Sequence, residues 1–228
     1  MRKQFQQIWD LAVPYQDKRN DQGHAAVVMS YADFLTPQIP EADRMITIPT
    51  AILHDIGWSQ LQKTSEAISR LDLAKEVSRV MHQVEGMNLA ESILNQVGYL
   101  QPLTKRILGI ILEHDVEITE CNLIKAGYDA KTRAWVLGIK TVPGQRGFKN
   151  PNDGVVKDAD KLWRYNHIGF WADVRRRGLE TQAELLAQAD LIEKDMKPER
   201  FMYSDIARKI ALIELKARRQ EIKSFYSK

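Results

Sequence analysis

The residues of this chain best suited to hold a metal ion are its histidines, at positions 24, 54, 82, 114 and 167. His24, Val28, Tyr31 and Leu35 step at helical intervals along one stripe, and Met45, Ile48, Ile52 and Asp55 along a second. Leu103, Ile107, Ile110, Ile111 and His114 make a third. His24, Asp55 and His114 therefore share the register of apolar positions and are expected to point inward. Taken singly, a histidine on an apolar face is more often a hydrogen-bonded core residue than a ligand. Several imidazoles and a carboxylate in one small core are different, because the hydration each loses must be replaced. A shared metal ion replaces it, since neutral imidazole and carboxylate are its ordinary donors. The most informative string is His54-Asp55, within AILHDIGW. Adjacent helical residues diverge by about a hundred degrees. Both can still reach one ion near a helix end, and Gly57 marks such an end.

The elements that must carry these residues read as helices almost throughout. Pro37 and Pro40 close the first stripe and Gly57 the second, where Pro49 predicts a kink or a fresh start near Thr47. A charged amphipathic helix is expected from Ser65 to about Val84, and another from about Asn88 to Gln96, stopped by Gly98. Pro102 suits the first turn of the helix that leads to His114. Between Glu117 and Asp153 the helical pattern lapses. There TRAWVLGIKTV predicts a short strand or hairpin, and PGQRGFKNPNDG an exposed loop. Helices resume from about Val155 to Arg177, Glu180 to Met196 and Tyr203 to Phe225. The expected fold is all-α, a helical bundle forming one domain over 1–228, with an inserted loop or short hairpin between two ligand helices.

On these strings the chain resembles the HD-domain superfamily of metal-dependent phosphohydrolases. The pattern is carried by His24 in GHAAVV, by His54-Asp55, and by Asp160 in VVKDADKLW. The resemblance spans about residues 15–175, with helices over about 180–226 packing on that core. Within DADKL it implies Asp160 rather than Asp158 as the ligand. Two further histidines match the family's dinuclear branch: His82, which opens HQVEG, and His114 in ILEHDVE. The resemblance then implies that His24, His54, Asp55 and Asp160 hold one ion. Asp55, His82 and His114 would hold a second, with Asp55 as the bridging, catalytic carboxylate. Iron or manganese suits this donor set better than magnesium, which prefers oxygen alone, and other divalent ions are possible. The implied reaction is hydrolysis of a phosphate ester or anhydride, of a nucleotide or small metabolite, by metal-activated water. Mixed-valent diiron oxygenases on the same scaffold use the same six ligands and are the alternative. The GYP loop of cyclic-dinucleotide phosphodiesterases is absent, because Gly127-Tyr128 is followed by Asp129. A non-catalytic relic is disfavoured, since degenerate members usually lose the His-Asp pair or the last aspartate.

The candidate substrate contacts are Arg146 and Lys149, in the loop between two ligand helices, and Lys161 and Arg164, which follow Asp160. Asp115 reads as a solvated helix-end residue, and Trp163 and Trp171 as core. His167 matches no ligand position. Among the 228 residues, 33 Lys and Arg face 30 Asp and Glu, a net charge of +3. Such a balance sets up no strong field toward nucleic acid or anionic lipid, so phosphate affinity is expected from metal ions and a local loop. The single cysteine, Cys121, excludes a disulfide framework and a cysteine-based zinc site. The N-terminal MRKQFQQIWDLAVPY lacks a long apolar run, and a reducing cytoplasm is the expected compartment. The expected partner is a small phosphorylated metabolite or nucleotide, with no membrane and no specific nucleic acid.

Overall fold

Capping and proline chemistry set most of the helix boundaries. The structure, a computed structural model, describes residues 3–19, 21–61, 74–139 and 150–227. Helix α1 (Lys3–Ala12) and a 3-10 turn (Val13–Tyr15) precede α2 (His24–Leu35), which begins at the first histidine. The Asp17 carboxylate accepts from Gly23 N at 2.8 Å and Ala25 N at 3.3 Å, which covers two of the amides exposed at that helix start. Helix α3 (Arg44–Leu53) is capped by Asp43, whose side chain accepts from Met45 N at 2.8 Å. It runs through Pro49 as one helix, with no restart near Thr47. Proline lacks the N–H that would reach the Met45 carbonyl, and the Tyr99 hydroxyl donates to that carbonyl instead, at 2.7 Å. A turn over residues 54–57 and the short α4 (Trp58–Leu61) follow.

Helix α5 (Ala74–Gln96) is continuous where the sequence predicts two helices parted near Val84 to Asn88. The predicted start at Ser65 lies outside the described residues. Gly86 does not stop this helix, because its bare backbone is the contact surface for the turn at Gly57. The stop comes at Gly98, at φ +64°, where Tyr99 N donates to Leu94 O at 2.9 Å. Helix α6 (Gln101–Glu113) carries Pro102 in its first turn and ends just before His114.

The short α7 (Glu120–Lys125) has a Thr119–Asn122 capping box. Next comes α8 (Ala130–Ile139), which corrects the expectation of a strand or hairpin: the described part of TRAWVLGIKTV is helical. Thr132, Trp135 and Val136 favour strands locally. The Asp129 carboxylate, accepting from Thr132 N at 2.7 Å, starts a helix that buries Val136 instead. No strand occurs among the described residues.

Helix α9 (Pro151–Trp163) begins earlier than expected and takes in the PNDG tetrapeptide read as loop. Asn150 caps it by accepting from Asn152 N and Asp153 N, and Asn152 Oδ1 accepts from Asp43 N at 2.7 Å, tying the starts of α9 and α3 together. Gly154 is required there, since a Cβ would stand 2.4 Å from the Tyr203 ring. A break over residues 164–166 separates α9 from α10 (His167–Arg177), where one helix was expected. Asn166, accepting from Ile168 N at 2.9 Å, caps the new helix. The chain closes with α11 (Gln182–Met196), the short α12 (Pro198–Phe201) and α13 (Asp205–Phe225).

Helix α3 is the middle of the assembly, packed against α1, α2, α6 and α9. Helix α5 lies on α6 and α4, while α13 lies on α9, α10 and α11. One continuous apolar cluster runs from Phe5 to Ile222. Burying each large aliphatic or aromatic side chain in it contributes roughly 1.5–3 kcal/mol. This is the all-α architecture that the helical periodicity predicts. No described helix is long and apolar enough to cross a membrane.

Candidate metal centre

The turn after α3 and the end of α6 repeat one local device. His54 and His114 each stand immediately past the last helical residue, as C-caps. His54 Nδ1 lies 3.0 Å from the Ala51 carbonyl and His114 Nδ1 lies 2.7 Å from the Ile111 carbonyl. A carbonyl only accepts, so Nδ1 carries the proton in both rings and Nε2 faces outward from the helix end. His24, the first residue of α2, and His82, within α5, aim Nε2 at the same region. Their own Nδ1 atoms are buried without a hydrogen-bond partner.

Four Nε2 atoms and two carboxylates converge as a result. His24 and His54 approach to 3.0 Å through Nε2, and His82 and His114 to 3.3 Å. Asp160 Oδ1 lies 3.4 Å from His24 Nε2 and 3.5 Å from His54 Nε2. Asp55 stands between the two pairs. Its Oδ2 is 3.4 Å from His24 Nε2, while its Oδ1 is 3.2 Å from His114 Nε2 and 3.5 Å from His82 Nε2. Two groups of three result, His24–His54–Asp160 and Asp55–His82–His114. Within each, one ligand atom per residue lies within 4.8 Å of the others, a spacing that could hold a metal ion.

Close backbone packing brings the second group together. A Cβ on Gly57 would stand 1.9 Å from the His82 carbonyl and 2.4 Å from Gly86 N. The turn carrying Asp55 therefore lies directly on α5, and glycine is the residue that permits it. Trp58 completes the contact. Its ring stacks on His82 at 4.2 Å, and its Nε1–H donates to Asp55 Oδ1 at 3.2 Å. Gln83, fully buried beside His82, donates to the Leu112 and Val116 carbonyls and accepts from Val116 N, which holds the His114 turn to α5. At the first group, Trp163 meets the His24 ring edge-on at 5.0 Å.

The electrostatics call for positive charge. Burial works against a charged His54 ring, but Asp55 and Asp160 outweigh it and lift its pKa to about 9. Burial likewise pushes Asp160 up, yet the hydrogen bond and charge of His54 hold it at about 2. Asp55 is held well below the carboxylate range by His54, His114, His24 and His82, against the effect of burial. His82 is pushed down by burial, with Asp55 opposing. Without a metal, a proton on His54 thus serves as the cation between two carboxylates. The donor set fits a bound cation on chemical grounds: imidazole nitrogens face one another across 3.0–3.3 Å beside ionised carboxylates. Asp160 is the most open of the carboxylates, its side chain 37% exposed against 20% for Asp55.

The structure brings together six residues singled out in the sequence: His24, His54, Asp55, His82, His114 and Asp160. Asp158 faces away and accepts from Tyr203 N, Ser204 N and Ser204 Oγ at 2.6–2.9 Å. Asp115 is paired with Arg79, whose Nε donates to it at 2.6 Å, and is not merely solvated. Lys161 donates to the Phe201 carbonyl, and Arg164 lies 3.7 Å from Asp173. His167 and Trp171 both contact Glu221 of α13. Arg146 and Lys149 lie outside the described residues. Sequence reasoning missed Trp58, Gln83, Gly86 and Arg79. Only Trp58, adjacent to Gly57, carried a local signal; the others act through neighbours that are distant in the chain.

No family model matches the chain, and no curated protein and no solved structure matches it.

Proposed function

We propose that the protein is a metal-dependent phosphohydrolase of the HD-domain type, acting on a phosphate ester or anhydride of a nucleotide or small metabolite. One observation carries this reading: the two oxygens of Asp55 face different histidine pairs, Oδ2 toward His24 and Oδ1 toward His82 and His114. That is the position of a carboxylate shared by two ions, and the resemblance in the order His24, His54-Asp55, His82, His114, Asp160 agrees with it. The first ion would be held by His24, His54, Asp55 and Asp160, the second by Asp55, His82 and His114. The mixed imidazole and carboxylate donors favour iron or manganese. When bound, such ions acidify water and draw charge from phosphoryl oxygens.

The chain's own residues do the rest. Nδ1–H of His54 and His114, fixed on backbone carbonyls, keeps both rings in the tautomer that presents Nε2. Trp58 orients Asp55 by donating to Oδ1. Asp160 is the more exposed of the two carboxylates. The test is metal content together with turnover of a phosphate-ester panel, on one anaerobic preparation made without chelator. One to two transition-metal ions per chain with ester turnover is the expected result. No bound metal, and no stabilisation on adding iron or manganese, would overturn it. Dioxygen consumption without ester turnover would replace hydrolysis by the oxygenase reading.

A further inference from the structure

Beside the histidines lies a small cleft lined by residues 16–19 and 21 and by the His54–Trp58 turn. His24, His54 and Asp55 form one wall; Arg19 and Trp58 form another. The segment is braced from below, because the buried Gln16 side chain donates to the Ile52 carbonyl at 3.1 Å. Its carboxylates are turned to the backbone. Asp17, in the left-handed region at φ +56°, accepts from Gly23 N and Ala25 N, and Asp21 accepts from Arg19 N at 3.1 Å. The Arg19 guanidinium lies 4.4 Å from the centre of the Trp58 ring, which also stacks on His82. Arg19, Trp58 and His82 therefore lie in contact, with Arg19 exposed and no carboxylate paired with it among the described residues. A cation held over an aromatic ring keeps its N–H donors for another group.

Resting on the hydrolase reading above, we infer that Arg19 is the substrate's phosphoryl-binding arginine and that the substrate is a phosphomonoester. A monoester has three unsubstituted oxygens and a diester two. If each donor group takes up one oxygen through its cation, only the monoester keeps one for Arg19. A charge-assisted bond from a guanidinium to phosphate is bidentate at best, and its loss weakens binding roughly ten- to hundredfold.

The experiment compares wild type, Arg19→Ala and Arg19→Lys, each loaded with manganese. Arg19 is exposed and touches no ligand atom, so all three should carry the same metal content. Titration calorimetry with inorganic phosphate should show binding weakened roughly ten- to hundredfold in Arg19→Ala and partly restored in Arg19→Lys. With para-nitrophenyl phosphate, kcat/KM should fall by a similar factor in Arg19→Ala, while bis(para-nitrophenyl) phosphate turnover stays unchanged. Wild type that hydrolyses the esters, together with an Arg19→Ala variant that binds phosphate as tightly, overturns the arginine assignment alone. An equal loss on both esters overturns the monoester assignment. A manganese-loaded wild type that takes neither phosphate nor any ester overturns the hydrolase reading with it.

Discussion

The two histidine groups are built alike and completed differently. Each pairs a C-cap histidine, braced by the carbonyl three residues before it, with a histidine whose Nδ1 is buried without a partner. The first group draws on the ends of α2 and α3 and on α9, and Asp160 gives it a carboxylate of its own. The second draws on α5 and α6 and depends on Asp55, which also reaches His24. The first can therefore stand without His82 and His114, but neither can stand without the turn that carries Asp55. Sharing one carboxylate ties the fate of one group to the other in a fixed direction.

The strongest way to break that comparison is Asp55→Ala. It should bring metal content and ester turnover to background together, measured by elemental analysis and a rate assay. A variant that kept a full equivalent of metal and wild-type turnover would show the groups to be independent. Next in size is the contrast between His82→Ala and Asp160→Ala. The first should retain about one ion and lose the second; Asp160→Ala should weaken the first group and, through Asp55, leave the other measurably looser. Losing one ligand in a metal site costs at least as much affinity as losing an outer-shell partner, roughly 10–100-fold. Identical metal content in the two variants would remove the asymmetry.

Gly57→Ala probes the packing that joins the groups. Its new methyl would meet the His82 carbonyl, so the turn must shift. Overpacking of this kind destabilises by roughly 1–3 kcal/mol, which thermal unfolding would read as a drop of several degrees. Metal should be lost from the His82 side first. A variant with unchanged unfolding and metal content would mean that the backbone contact does not set the site.

A further effect is in pH. His54 has a pKa of about 9 in the folded metal-free protein, above the ordinary 6.5 of a histidine. Its contribution is therefore fully present below about 6.5 and is lost as pH rises through about 9. The metal-free protein should lose stability across that window. The metal-loaded protein should not lose that contribution, because the ion takes the proton's place. Unfolding curves at pH 6.5 and 9, with and without metal, compare the two. A midpoint that does not fall in the metal-free protein would show that no proton stands in for the cation.

How much of this was legible in the sequence follows from the range of the physics. Helical periodicity is local, so α2, α3 and α6 were readable, as were the inward positions of His24, Asp55 and His114. Boundaries that depend on distant partners were not. Pro49 reads as a break until Tyr99, fifty residues on, is seen donating to Met45. The stretch from Val84 to Asn88 reads as a gap between helices until Gly57 is found against Gly86. PNDG reads as loop until Asn150 caps it and Asn152 reaches Asp43. The metal donors were legible because ligand chemistry restricts residue types. Arg19 was not, because an exposed arginine looks the same wherever it stands until Trp58 is placed beneath it.

The C-cap positions of His54 and His114 have one more consequence. Helices α3 and α6 both terminate at the cluster and α2 begins there, so the negative ends of two macrodipoles meet the positive end of one. This partial charge belongs to the peptide backbone and does not titrate. While Asp55 and Asp160 are ionised, the backbone therefore adds to the site's preference for a cation, and phosphate should bind more tightly after metal than before it.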